Sequence, residues 1–236
     1  MALDFYAKPK KLDSYKGKLS ASEIAAGMNA ANANAMRLAN DAQKLLETGS
    51  FPTAASLAAL SIEESGKVSI LRQLSTASTA EEIKASWKNY RSHTSKSAQW
   101  LLPELAINGA RKLEDLRPLF DEGAEHSFIL DQLKQLGFYT DCLGEKNWSI
   151  PSVVVNEELS KSLVQTAKIL AGKSEVTTKE IELWIKHVGK ASKSDFDAMK
   201  EALITWYAAM QDAGLKESGV NSMKNFIENG VAFPKI

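Results

Sequence analysis

Glu63-Glu64-Ser-Gly66-Lys67 sets two carboxylates and an ammonium inside an otherwise apolar stretch running from Leu57 to Leu74. At about 100° per residue, Leu57, Leu60, Glu64, Lys67, Leu71 and Leu74 share a sector of roughly 100° on a helix, so the charges face inward with the leucines. A carboxylate and an ammonium three residues apart can pair on one face, but burying them is costly unless each finds good partners. That expense marks a candidate site. A second group of reactive side chains lies in Trp87-Lys88-Asn89-Tyr90-Arg91-Ser92-His93-Thr94-Ser95-Lys96. Histidine transfers protons near neutral pH and a neighbouring lysine can hold a phosphate, which are the two needs of RNA cleavage without a metal.

Other chemistries fit the Glu63 to Lys67 motif poorly. A P-loop needs glycine at position 61 and serine or threonine after the lysine, but Ser61 and Val68 stand there, in mid-helix. A di-iron bundle needs Glu-x-x-His, and none of the three histidines follows a glutamate at that spacing. An all-α nucleotide pyrophosphohydrolase would cluster acids around magnesium, and here Lys67 takes the place of a further carboxylate. The bland alternative is a structural ion pair that fixes helix register. The reading expects no metal and no cofactor.

The elements that must carry these residues are helices almost throughout. Ser20-x-x-Glu23 is a capping box that opens a helix to about Thr48; Gly49 ends it, and Pro52 begins a second helix to about Leu74. Thr79-x-x-Glu82 caps a third, predicted to run through Trp87, Tyr90, His93 and Trp100 until Pro103. On it Ile83, Trp87, Tyr90 and Leu101 form the buried side. Asn89, His93, Lys96 and Trp100 line one flank, and Lys84, Lys88 and Arg91 the other. A less regular segment follows from Glu104 to Phe120. Then comes a helix from about Ala124 to Tyr139, with Ile129, Leu133 and Leu136 on one face, leading into an aromatic loop, Tyr139 to Pro151. Asn156, Thr177, and Ser194 or Ser192 cap three more helices, a last short one covers Ser218 to Glu228, and Val153 to Val155 is one strand-like run. His126 and His187 read as structural.

The class is therefore all-α, an antiparallel helical bundle over 1–151 and a C-terminal helical region over 152–236 that packs separately or on the same core. With 236 residues and 44% hydrophobic content the chain can bury a sizeable core. Twenty-nine basic side chains balance twenty-nine acidic ones, so a nucleic-acid contact must come from a local patch. The single cysteine, Cys142, cannot form an internal disulfide, and the lysine-rich start from Met1 to Lys18 has no apolar signal core, which together predict a cytoplasmic protein with no membrane association.

Glu63-Glu64-Ser-Gly66-Lys67, then His93-x-x-Lys96, then Gly137-Phe-Tyr139-Thr-Asp141 leading to Trp148 and Pro151, is similar in content and order to the AbiV family of abortive-infection proteins. The resemblance covers about residues 22–151. It implies a HEPN-like helical bundle, a homodimer, and a cytoplasmic antiphage effector that acts on RNA or the translation machinery and responds to a phage-encoded activator protein. It also implies site roles: His93 as general acid or base, Lys88 or Lys96 on the phosphate, Asn89 orienting the histidine and Arg91 binding nearby. Glu63, Glu64 and Lys67 then support the site from beneath, and Tyr139 and Asp141 close it. One departure bears on catalysis. Active members of the superfamily carry an arginine, then four to six residues, then a histidine, whereas here the residue separated from His93 by four is Lys88. The resemblance thus leaves two functions, a metal-independent endoribonuclease or a non-catalytic protein that blocks translation by binding RNA, ribosomal machinery or a phage protein.

Overall fold

The computed structural model describes residues 13–92, 105, 110–112, 115, 126–172, 174–191 and 195–230. Among these, the helices are α1 (Ala21–Glu47), α2 (Phe51–Ser75), α3 (Ala80–Arg91), α4 (His126–Phe138), α5 (Pro151–Val154), α6 (Glu157–Leu170), α7 (Thr178–His187), α8 (Phe196–Asp212) and α9 (Ser222–Asn229). The fold is all-α, with one short hairpin of β1 (Asp141–Leu143) and β2 (Asn147–Ser149).

Local chemistry sets most of the boundaries. Both bonds of the capping box form at Ser20 and Glu23 and again at Thr79 and Glu82. The Glu23 carboxyl is held below its usual range by the Ser20 backbone N–H and hydroxyl. Between α1 and α2, Gly49 adopts φ +77°. Its N–H donates to the Leu46 carbonyl at 3.1 Å, and the Ser50 N–H donates to the Leu45 carbonyl at 2.8 Å. These paired bonds reverse the chain within a few residues, so α1 and α2 run antiparallel.

Alanines decide how closely those two helices approach. Ala39 and Ala42 on α1 meet Ala54, Ala55, Ala58 and Ala59 on α2 in a cluster completed by Ile62, Leu130 of α4, and Leu163, Val164 and Ala167 of α6. Helix α2 is thus enclosed on several sides. Its buried hydroxyls are satisfied by neighbouring main chain: Ser61 donates to the Ala35 carbonyl at 2.7 Å and Ser56 to the Lys134 carbonyl at 3.1 Å. A second cluster joins Ile24 and Met28 of α1, Leu71 and Leu74 of α2, Trp87 of α3 and Ile181 of α7. A third joins Leu183 of α7 to Trp206 and Met210 of α8.

Helix α6 lies on the same core as α2, one of the two arrangements expected for residues 152–236. Several expectations are corrected. Leu57 and Leu60 are only half-buried, since an enclosed helix has no single apolar stripe. Val153 belongs to the α5 turn started by Pro151, and the aromatic loop forms the hairpin, with Cys142 opposite Trp148. Asp195, rather than Ser194 or Ser192, caps α8. Helix α3 ends at Arg91, and Ser92 is extended at φ −78° and ψ 133°. His93, Lys96, Trp100 and Leu101 lie outside the described residues. No described helix is long and apolar enough to cross a membrane.

Candidate functional site

The deepest charges are those of Glu63, Lys134 and Asp131. The Lys134 ammonium lies 2.7 Å from Glu63 Oε1 and 2.7 Å from Asp131 Oδ1, and the Lys134 and Glu63 side chains are only 6% and 3% exposed. Burial alone would lower the lysine pKa, but the hydrogen bonds and charges of Asp131 and Glu63 together outweigh it and raise it above its ordinary value. This cluster ties α2 to α4. Helix α4 turns Leu130, Lys134 and Gly137 inward and leaves Ile129 exposed, so the face expected at Ile129, Leu133 and Leu136 is rotated. One turn beyond Lys134, a Cβ on Gly137 would lie 2.7 Å from the Pro52 carbonyl and collide with the Ser56 hydroxyl as well. Glycine is what lets α4 approach α2 closely enough for the ammonium to reach Glu63.

Glu64 and Lys67 form a second, shallower pair. They are bonded to each other, with side chains 18% and 19% exposed, and the Lys67 ammonium lies 5.2 Å from the centroid of the Tyr90 ring on α3. On the last turn of α3, Lys88 is exposed and Asn89 half-buried. Lys67, Tyr90, Lys88, Asn89 and Arg91 are therefore brought to one end of the α2–α3 pair. Tyr139 and Asp141 are not. They follow Gly137, which packs at Pro52 and Ser56, eleven or more residues before Lys67 on α2. At about 1.5 Å per residue that is a separation of roughly 15–20 Å along the helix axis. Tyr139 is exposed, and the Asp141 carboxylate accepts the N–H of Cys142 at 2.7 Å.

Trp87 and Arg91 are engaged by the segment that precedes α1. The Trp87 indole N–H donates to the Gly17 carbonyl at 2.8 Å. Arg91 donates to the Tyr15 carbonyl and lies 4.9 Å from the centroid of the Trp87 ring, which meets Tyr15 edge-on at 6.0 Å and Tyr90 at 5.4 Å. Trp87 is consequently only 8% exposed. Trp87, on the side of this helix expected to be buried, is thus covered in part by the segment before α1.

Sequence reasoning missed two groups. Lys134 and Asp131 carried a signal in their three-residue spacing on a helix that also bears Leu130 and Gly137, but their partner Glu63 is remote in sequence. Arg72 of α2, Glu180 and Trp184 of α7 and Trp206 of α8 make the other. Arg72 donates to Glu180 at 2.9 Å and lies 5.0 Å and 5.5 Å from the two indole rings. Burial lowers its pKa from the usual arginine range, and Glu180 partly restores it. Together with the paired bonds of Asn29 to the Val176 main chain, at 2.9 and 2.8 Å, this group holds the C-terminal helices to the bundle.

The comparisons fall on the bundle. No curated protein and no solved structure matches the chain. The family model described as AbiV, of the HEPN class, matches residues 23–172, from the first turn of α1 to just past the end of α6. That span takes in both glutamates of α2, their partners Lys134, Asp131 and Lys67, and the polar end of α3. With well over half of its length matched, the chain belongs to the AbiV family of HEPN proteins and to abortive infection as a defence against phage.

Proposed function

We propose that the protein is an antiphage effector that arrests the infected cell by acting on RNA or the translation machinery, through the end of α3. The observation that carries this reading is the contact of Lys67 with Tyr90 at the last turn of α3, which also bears Lys88, Asn89 and Arg91 just before His93. It offers cations for phosphate, an aromatic neighbour for a base, and a histidine able to move a proton. In the cleaving form of this proposal His93 is the general acid or base, Asn89 orients it, and Lys88 and Lys96 hold the phosphate. Glu64 supports the cluster through Lys67.

A specific observation favours the second form, inhibition by occupancy. Lys88 supplies a point charge without the planar fork of arginine, and the one arginine of α3, Arg91, is bonded to the Tyr15 carbonyl. Incubation of the purified protein with total RNA in EDTA, against His93→Ala, separates the two. Cleavage through histidine and the ribose 2′-hydroxyl gives fragments with cyclic phosphate ends that disappear in the variant; occupancy lowers translation with RNA intact. Intact RNA together with undiminished translation would sink both.

The proposed assembly is a homodimer through the N-terminal bundle, burying more than about 1,000 Å² in total. The proposed trigger is a phage-encoded protein, for which the exposed Tyr139, Trp148 and Val153 around the hairpin offer an apolar landing surface. A monomeric mass by light scattering at micromolar concentration would overturn the dimer.

A further inference from the structure

We propose that residues 13–19 are a latch, occupying in place of RNA the aromatic and cationic face of α3, and that lifting the latch opens that face. The inference rests on the RNA-directed reading above and adds its regulation. The segment engages two groups on this face that could grip a nucleotide, Trp87 and Arg91. The Arg91 guanidinium donates to the Tyr15 carbonyl, the Trp87 indole N–H donates to the Gly17 carbonyl at 2.8 Å, and the Tyr15 ring sits edge-on to Trp87 as a base could. Carbonyl oxygens here stand where phosphate oxygens would. Because a phosphate oxygen carries charge, it makes the stronger bond to a guanidinium, so RNA competes on favourable terms.

The segment is built to leave. It contains no helix or strand, and residues 13–16 and 18 are exposed. The Tyr15 hydroxyl donates to the Lys18 carbonyl at 2.9 Å, folding the segment on itself, and a Cβ at Gly17 would lie 2.6 Å from that hydroxyl oxygen. Glycine leaves room for that hydroxyl. The hinge lies at Leu19 and Ser20: Leu19 is packed against the second core cluster, and the capping box fixes Ser20 to α1. What holds the latch is thus side-chain-to-main-chain bonds and a ring edge, the kind of contact that opens locally while the core stays folded.

The test is fluorescence anisotropy of a labelled single-stranded RNA oligonucleotide with the full chain, comparing wild type, the latch-release variant Tyr15→Ala, which removes both the ring edge on Trp87 and the bond to Lys18, the release variant with Arg91→Ala added, and Lys88→Ala. If the face is open about a tenth of the time in the wild type, release tightens binding about tenfold, and Arg91→Ala removes the gain. Release with unchanged affinity, while Lys88→Ala still weakens binding, would overturn the latch and leave the RNA reading standing. No binding by any variant would overturn both. Hydrogen exchange on the unaltered chain gives an independent readout: saturating RNA should speed exchange across residues 13–19, and unchanged or slowed exchange there would overturn the latch even if the release variant failed to fold.

Discussion

Glu63 and Glu64 are consecutive, and the roughly 100° between them on α2 sends them to different worlds. Glu63 reaches across to Lys134 and is sealed between α2 and α4, whereas Glu64 pairs within its own helix with Lys67, beside Tyr90 and within reach of water. A sealed ion cluster is a lock, because removing one member strips a buried charge of its counter-ion. A half-open pair near the exposed Lys88 is within reach of solvent, and so of anything that binds there. The chemistry of one dipeptide is thereby divided between holding the bundle together and presenting a surface.

The sharpest way to break this contrast is Lys134→Met. It leaves Glu63 buried beside Asp131 without the ammonium, and should cost about 3–5 kcal/mol. Replacing Glu63, Asp131 and Lys134 together with apolar residues of similar size should cost much less. Urea unfolding midpoints of the two variants decide it: equal losses would mean that packing, and not charge, is what the cluster supplies. The same lock predicts an alkaline weakness. Since the Lys134 pKa is raised on folding, its contribution is present in full below the ordinary lysine value of 10.5 and is lost as pH rises through the higher folded value. As pH rises above about 10.5 the wild type should lose more stability than the triple apolar variant, and below that value the two should respond alike.

Gly137→Ala probes the same junction without touching a charge. The added methyl group meets the Pro52 carbonyl and the Ser56 hydroxyl, so α4 must move off α2, at a cost of about 1–3 kcal/mol. Unchanged thermal unfolding would mean that the two helices are not seated as closely as described.

What was legible in the sequence was local. Ser20 with Glu23, Thr79 with Glu82, Asn156 and Thr177 mark helix starts within four residues of the backbone groups they satisfy, and all four cap as read. What was not legible depends on distant neighbours. The helical wheel set Glu64 among the leucines, yet on a helix with partners on several sides it is Glu63 that is sealed in. The inward face of α4 was misjudged because Lys134 and Gly137 are poor hydrophobic markers, and only a glutamate 71 residues away makes that lysine a core residue. Trp87 reads as buried, but its partners Tyr15 and Gly17 were not legible because they belong to a segment without periodicity.

Lys67→Met measures the other half of the comparison and should have a smaller effect on stability. With both side chains partly open to solvent, the Glu64 to Lys67 coupling from a double-mutant cycle should be about 0.5–1 kcal/mol. The Tyr90 ring adds a contact of similar size for the ammonium. A coupling as large as that of Glu63 with Lys134 would erase the distinction between lock and surface.

The smallest effect on stability, and the largest on function, is expected at His93 and Lys96. If the end of α3 is a working surface, these residues contribute to what the protein meets and little to what holds it together. The double variant His93→Ala/Lys96→Ala should melt within about 0.5 kcal/mol of wild type, as substitutions away from core and caps do, while growth arrest and phage protection are lost. Growth curves on infection, read beside circular dichroism of the purified variant, separate the two effects. Protection retained by a folded double variant would take this flank out of the mechanism and move attention to the exposed hairpin around Tyr139 and Trp148, at the other end of α2. Protection lost together with the fold would instead make these residues part of the structural half of the molecule, against the division that Glu63 and Glu64 draw.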